Sequence, residues 1–219
     1  MVSGLTALKR QLWMLSTPTA PKAGSKRLAP ALIGFKTRYP DVTIEMTLAD
    51  RRVSLIEEGY DLVVRMGPVA DSELMFRKIA DLPRALVASP TFLAKHSDLS
   101  TPQDLERLPA LAIRRDLVEW DLTDAHGTRA VIRPGIGFAA NRQTILVDAA
   151  RAGLGIANLP EFLIEDAMAT GALVPVLPDW KPSPVEMTAL WQRDRITGRL
   201  IKAIVGVFEE VLSAKPSEV

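Results

Sequence analysis

Hydrophobic and polar positions follow a regular order over residues 138–163, FAANRQTILVDAARAGLGIANLPEFL. This order predicts a strand, a polar turn, a helix, a glycine stop, a buried strand and a second helix. The first helix is indicated by apolar residues at helical spacing, namely Ile145, Leu146, Ala149 and Ala152. Asn141 stands where an N-cap belongs, and Gly153 stands where a left-handed residue ends a helix. The stretch therefore predicts a βαβα unit of an open α/β sheet.

The first third of the chain shows the same alternation. Strands are predicted over residues 11–17, 42–48 and 61–64, and helices over residues 25–39 and 52–58. The second strand alternates apolar and polar side chains, which indicates a sheet edge with one face wet. The third strand is apolar throughout its core, which suits a central parallel strand, and Asp50 and Gly59 are placed to begin and end the short helix before it.

A second set of elements begins near residue 84. Strands are predicted over residues 86–88, 173–177 and 185–191, and helices over residues 91–95, 161–170 and 198–213. Ser89 and Asp104 occupy N-cap and capping-box positions, and His126-Gly127 suits a hairpin tip. The turn at 82–84 and the proline-rich connector at 178–184 are natural crossings between two lobes. The predicted domains are residues 1–84 with 185–219, and residues 85–184, with a hinge at the two crossings.

The composition is that of an ordinary globular protein. The chain has 219 residues, 47% hydrophobic and 24% charged, with a formal charge of +1 and no cysteine. Lys and Arg residues are scattered along the chain and form no basic cluster that would bind nucleic acid directly. The absence of cysteine excludes thiol chemistry. The apolar stretch at residues 12–15 is too short to be the core of an export signal. No other run approaches the ~20 apolar residues that a membrane span needs. We therefore expect a cytoplasmic protein without a membrane partner.

Catalytic and metal chemistry has little support in these residues. His96 and His126 are the only histidines, and they lie in different segments, so neither a metal cluster nor a histidine-based triad is expected. The run Gly153-Leu154-Gly155 follows a helix and lacks a third glycine, so helix termination and close packing explain it better than dinucleotide binding. We expect no enzyme activity, no catalytic residue, no metal and no cofactor.

Strand ends are the places where binding is expected. A helix that starts directly after a strand presents unpaired backbone N–H groups and partial positive charge. Such a helix start, as predicted after Asn141, suits a carboxylate or another small anion.

Four segments together carry a family resemblance: YPDV at 39–42, DRRVSLIEEGYDLVVR at 50–65, ASPTFLA at 88–94 and AGLGIANLP at 152–160. Over about residues 11–213 the chain resembles the C-terminal effector-binding domain of LysR-type transcriptional regulators. The resemblance implies an α/β protein of the type 2 periplasmic-binding-protein fold, in which two Rossmann-like subdomains are joined by two crossover strands. It also implies bacterial origin, a homodimer or tetramer, and a winged helix-turn-helix ahead of this region. Only about ten residues precede the first predicted strand, so we expect a regulatory fragment that reaches promoter DNA only through that missing domain.

The resemblance also implies which residues touch a small effector between the lobes. They follow strand one, strand two, strand three and the start of the second-lobe helix: Ser16, Thr17 and Thr19, then Ala49 and Asp50, then Arg65 and Met66, then Asn141 and Arg142. Each has an alternative structural explanation. The hydroxyls and Asp50 could serve loops and helix caps, Arg65 could pair with a nearby carboxylate, and Asn141 is expected to cap its helix in any case.

Two hypotheses for function remain open from the sequence. The first is an effector-sensing domain of a LysR-type regulator, in which a small, anionic molecule shifts the balance between two arrangements of the lobes. The alternative is a solute-binding protein that delivers its ligand to a transporter. For the regulator, the family implies that the helix at 25–39 and the strand at 42–48 pack against the second lobe of a neighbouring subunit. Trp120 and Trp180 are candidates for the second lobe's wall of the binding site.

Overall fold

The structure is a computed structural model that describes residues 10–16, 28–48, 54–67, 74–113, 118–193 and 198–213. The chain divides into two compact units, Met1–Asp81 with Glu186–Val219, and Leu82–Val185. The strands are β1 Arg10–Ser16, β2 Val42–Leu48, β3 Leu62–Met66, β4 Met75–Leu82, β5 Arg84–Ala88, β6 Ala110–Ala112, β7 Trp120–Thr123, β8 Arg129–Ile132, β9 Ile136–Ala139, β10 Ile156–Pro160, β11 Val174–Pro175, β12 Lys181–Pro182 and β13 Val185–Trp191. The α-helices are α1 Ala29–Arg38, α2 Pro90–Leu93, α3 Gln143–Arg151, α4 Glu161–Ala169 and α5 Gly198–Ser213, and a 3₁₀ helix spans Pro102–Arg107.

The first unit is built on a sheet in the order β2-β1-β3-β13-β4. Strand β1 pairs in parallel with β2 and with β3, whereas β13 is antiparallel to β3. The predicted central strand is confirmed, because β3 has neighbours on both sides and its first three side chains are buried. The predicted edge strand is confirmed as well, because β2 ends the sheet.

Helices α1 and α5 pack against each other and complete the core of this unit. Five side chains of α5 are almost wholly buried, namely Leu200, Ile201, Ile204, Val205 and Phe208. They recur three or four positions apart, so they form one face of the helix. The sequence pattern predicts this helix and strand β13 with the bounds that the structure shows.

The second unit is built on a sheet in the order β11-β5-β10-β6-β9. Strands β10, β6 and β9 run in parallel, β5 is antiparallel to β10, and the edge strand β11 is antiparallel to β5. A smaller sheet, β12-β7-β8, shares a core with the larger one. Trp120 and Leu122 of β7 pack in that core with Leu86 of β5 and Ile156 of β10.

Several local signals act as predicted. The Ser89 hydroxyl accepts a hydrogen bond from the backbone N–H of Phe92 and caps α2. The Asp104 carboxylate accepts from the backbone N–H of Thr101 and fixes the start of the 3₁₀ helix. Gly127 has a φ of +84° at the tip of the hairpin formed by β7 and β8.

Other predictions need correction. Strand β4 and the short β12 are missing from the predicted elements, and the latter falls inside the predicted connector. The predicted helix at 52–58 is only a turn within the described residues, at 55–59, and Gly59 ends that turn with a φ of +72°. Asp50, the proposed cap for that helix, lies outside the described residues.

Candidate functional site

The carboxyl ends of three parallel strands meet at one edge of the first unit's sheet. Ser16, the last residue of β1, is in register with Leu48 at the end of β2 and with Val64 of β3. Arg65 and Met66 follow Val64 directly, so the register brings them to the same edge as Ser16. Ala49 and Asp50 come immediately after β2 in the sequence; like Thr17 and Thr19, they lie outside the described residues.

Arg65 has a polar environment that the sequence prediction missed. Its partner across the sheet is Thr188 of β13, which is fully buried and whose hydroxyl donates to the Glu186 carboxylate at 2.8 Å. Residues directly opposite each other point to the same face of a sheet, so the Thr188 hydroxyl lies beside the side chain of Arg65. A threonine inside the apolar run of β13 is the signal in the sequence that could have identified this neighbour.

Gly67 ends β3 with a φ of +90°. Its backbone N–H donates to the carbonyl oxygen of Glu186 at 2.9 Å, which ties the turn after β3 to the start of β13. The turn fixes the backbone that directly follows Arg65 and Met66.

The parallel strands of the second unit also end along one edge of their sheet. Ala139 of β9 is in register with Ala112 of β6, and Leu111 of β6 is in register with Ala157 of β10. Asn141 and Arg142 follow β9 at this edge, and both are exposed.

The predicted capping role of Asn141 is wrong. The backbone stays extended through Arg142, with φ −125° and ψ 130°, so Arg142 is the N-cap and α3 begins at Gln143. Asn141 therefore lies one position too early to cap, and the Arg142 side chain makes no capping hydrogen bond. Gly153 follows the last turn of helix α3 with a φ of +75°, and so it ends that helix as predicted.

Within the part of the chain that the structure describes, three buried polar atoms of the second unit have no hydrogen-bond partner: Arg84 Nε, Gln143 Oε1 and Asn158 Oδ1. Gln143 is the first residue of α3, and Asn158 is the middle residue of β10. Burial lowers the pKa of Arg84 to about 10, which still leaves its guanidinium charged at neutral pH. Sequence reasoning missed this group, although an asparagine inside the buried run of β10 is a visible irregularity.

The aromatic residues proposed as a wall have other environments. Trp120 is 4% exposed and belongs to the core of the second unit, so its proposed place in a binding wall is wrong. Trp180 packs against the same core cluster. His96 stacks on Phe92, with ring centroids 4.6 Å apart.

Within the described residues, no group of three His, Cys, Asp or Glu side chains could hold a metal ion, and no helix is long and apolar enough to cross a membrane.

Two α/β units, each with parallel strands ending along one edge, define a protein of the two-lobed periplasmic-binding-protein class. A family model described as "LysR substrate binding domain" matches residues 18–213, and the chain belongs to this family. The predicted fold class and the recognised family are both confirmed.

Known relatives and structures agree with this assignment. An uncharacterized HTH-type transcriptional regulator of Haemophilus influenzae is 33% identical over 175 residues, which cover 77% of this chain and 59% of the relative. The regulatory domain of AphB from Vibrio vulnificus is 31% identical with a TM-score of 0.68, and the match covers 90% of this chain and 98% of that domain. The regulatory domain of CrgA from Neisseria meningitidis is 28% identical with a TM-score of 0.67, and the match covers 92% and 98%. The chain thus spans about three fifths of the length of the curated relatives it matches.

Proposed function

We propose that this chain is the effector-sensing domain of a LysR-type transcriptional regulator. The observation that carries the proposal is its match to almost the full length of two solved regulatory domains of such proteins. The Haemophilus influenzae relative and CrgA are named as transcriptional regulators, and this disfavours the alternative of a solute-binding protein for a transporter. The chain acts by binding rather than by catalysis, in the cytoplasm, and promoter DNA is contacted by a helix-turn-helix of the whole protein.

The effector in this proposal is a small anion held at the strand ends of the sheets. Ser16, Arg65 and Met66 share one edge of the first unit's sheet, and Asn141 and Arg142 follow β9 at the edge of the second. Thr17, Thr19, Ala49 and Asp50 complete the set because of their places in the family pattern. Arg65 supplies charge, and the backbone N–H groups at the start of α3 supply donors, since no side chain at the cap position occupies them.

Self-association is part of the same proposal. Among the described residues, no strand pairs with the outer edge of β2, and Ile33 of the neighbouring helix α1 is 68% exposed. On the second unit, edge strand β9 carries Ile136 and Phe138, each 36% exposed. Open edges with apolar side chains favour a partner, so we propose that α1 and β2 of one subunit pack against the second unit of its neighbour in a homodimer or tetramer.

A ligand screen tests the sensing role. We expect at least one small carboxylate or aromatic acid to raise the melting temperature of the 219-residue chain, because a ligand that binds only the folded state stabilises it. Arg65→Met should weaken binding of that compound by roughly 10- to 100-fold, since it removes a charge-assisted hydrogen bond. Arg193→Met, at an exposed arginine after β13, is the matched control and should bind as the parent chain does. A broad screen in which no compound stabilises the chain would contradict the proposal.

A further inference from the structure

Three buried polar atoms of the second unit have no hydrogen-bond partner among the described residues, and two of them belong to the strands β5 and β10. Buried polar groups are almost always hydrogen-bonded, so a cluster of unpaired ones requires an explanation. Two of the three, Arg84 Nε and Asn158 Oδ1, belong to strands that are directly paired.

The geometry places these two side chains together. Arg84 is opposite Pro160 in the antiparallel pair of β5 and β10, and Asn158 is two residues before Pro160. Residues two apart on a strand share a face, so Arg84 and Asn158 project from the same face of the sheet. Arg84 Nη2 donates to the backbone oxygen of Asn158 at 2.8 Å, so the guanidinium lies along this part of β10.

The charge of Arg84 has no counter-ion among the described residues. Its pKa is lowered by burial alone, and none of the ion pairs seen in the structure includes Arg84. Buried charges are normally paired with an opposite charge. Asn158 is only 8% exposed, whereas Arg84 as a whole keeps part of its surface in contact with solvent. The guanidinium is therefore a fixed cation without a counter-ion among the described residues, and its Nε atom is buried although the residue as a whole is partly exposed.

We propose that Arg84 and Asn158 bind a small carboxylate that also carries a hydroxyl group. The carboxylate accepts from the Arg84 Nε–H group and supplies the missing negative charge, and the ligand's hydroxyl donates to Asn158 Oδ1. One ligand then satisfies both a buried donor and a buried acceptor.

A hydroxyl group on the ligand suits Asn158 Oδ1 better than an amine does. The amine of an amino acid carries a positive charge at neutral pH. In this position it would lie close to the Arg84 guanidinium, and the single carboxylate of the ligand would face two positive charges where little water screens their repulsion. The site is therefore selective against amino acids of the same size.

This inference rests on the proposed sensing function and names the chemical class of its ligand. Strand β10 pairs with β6 up to Ala157 and Leu111, and the residue after Leu111, Ala112, pairs with Ala139 of β9; Asn158 directly follows Ala157. Asn141 and Arg142 follow β9, so Arg84 and Asn158 belong to the same sheet edge as the proposed effector contacts of the second unit.

Three acids with one carbon skeleton test the ligand class: L-lactate, propionate and L-alanine. They differ only in the substituent at carbon 2, which is a hydroxyl, a hydrogen or an ammonium group. Calorimetric titration of the 219-residue chain should give a dissociation constant for lactate about tenfold lower than for propionate, because one hydrogen bond is added. Alanine should bind more weakly than propionate. Equal binding of all three acids, as expected if a water molecule satisfies both atoms, would overturn the proposal.

Two substitutions test the residues. Asn158→Asp is nearly isosteric and gives Arg84 a permanent counter-ion, so it should raise the melting temperature and lower lactate affinity at least tenfold. Arg84→Met should also abolish lactate binding, whereas Arg151→Met, at an exposed arginine of α3, should leave it unchanged. Lactate binding that survives Asn158→Asp would refute this inference. The sensing function would still stand if another compound stabilised the chain, and it fails only when none does.

Discussion

At the scale of single residues, two glycines allow the strands of the second unit to approach Pro109. A Cβ atom added to Gly155 would lie 2.3 Å from the carbonyl oxygen of Pro109, and one added to Gly137 would lie 2.5 Å from its Cβ. The same carbonyl accepts a hydrogen bond from the backbone N–H of Ile156 at 3.0 Å. These contacts fix how β9 and β10 flank β6, and so they position the edge where Asn158 lies.

Gly155→Ala should destabilise the chain by about 2–3 kcal/mol, because the Pro109 carbonyl must move and its hydrogen bond to Ile156 weakens. Gly34→Ala is the matched control, since Gly34 lies in α1 with no atom within 4 Å of the added Cβ. In a helix this change should stabilise by up to ~1 kcal/mol. Urea unfolding of the three chains measures both values. A Gly155→Ala chain as stable as the parent would show that the strands can separate without cost.

Residue-level prediction from the sequence worked where the partner is close in the chain. Ser89 and Asp104 cap as expected, because each bonds to backbone only three or four residues away. The prediction for Asn141 was wrong because the backbone stays extended for one more residue, so the N-cap position falls on Arg142. The pair of Arg84 and Asn158 depends on the pairing of strands 74 residues apart, which no local pattern contains.

At the scale of elements, the 3₁₀ helix at Pro102–Arg107 depends on the charge of Asp104. Its carboxylate accepts from the backbone N–H groups of Ser100 and Thr101 and from the Thr101 hydroxyl, and these bonds lower its pKa from 3.8 to about 2. Since the folded pKa lies below the unfolded one, the ionised carboxylate stabilises the fold at neutral pH. That contribution decreases as the pH falls from about 4 towards 2.

Asp104→Asn should therefore destabilise the chain at pH 6 and have progressively less effect at lower pH. Urea unfolding of both chains at pH 6, 4 and 3 gives the difference in free energy, which should shrink between pH 4 and pH 3. Asp179→Asn, at an exposed aspartate in the turn before β12, is a control whose effect should stay small at every pH. A difference for Asp104→Asn that is independent of pH would show that the carboxylate's charge contributes nothing.

The elements that were predicted best are those whose burial follows one clear period. Strand β13 and helix α5 have their predicted bounds, because their buried faces repeat along the whole element. Strand β4 was missed because it ends the sheet, and its residues 76–78, Phe-Arg-Lys, are all exposed. An edge strand of this kind is specified by its neighbour β13 more than by its own side chains.

At the scale of the whole molecule, the first unit is assembled from both ends of the chain. Its sheet places β13 between β3 and β4, and helix α5 packs on α1, so the residues after 185 complete a core begun before residue 82. Parallel pairing of β1, β2 and β3 then brings Ser16 and Arg65 to one edge. The sequence predicted the order of these elements, and the family pattern predicted which residues would meet there. Only the register of distant strands shows that Thr188 and Glu186 lie beside them.

The exposed face of α1 and the open edge of β2 make self-association the property that a single substitution tests most directly. Ile33→Lys should convert the oligomer to a monomer and weaken association roughly 100-fold or more. The reason is that a symmetric dimer loses the burial of this side chain twice and gains two charges near Lys36 and Arg38. Ile56→Lys is the matched control, because Ile56 is 65% exposed in the same unit but lies outside α1 and β2. Light scattering over a concentration series measures the mass of each chain. If the parent chain is monomeric at high concentration, or if the Ile33→Lys variant associates as the parent does, the proposed interface is wrong.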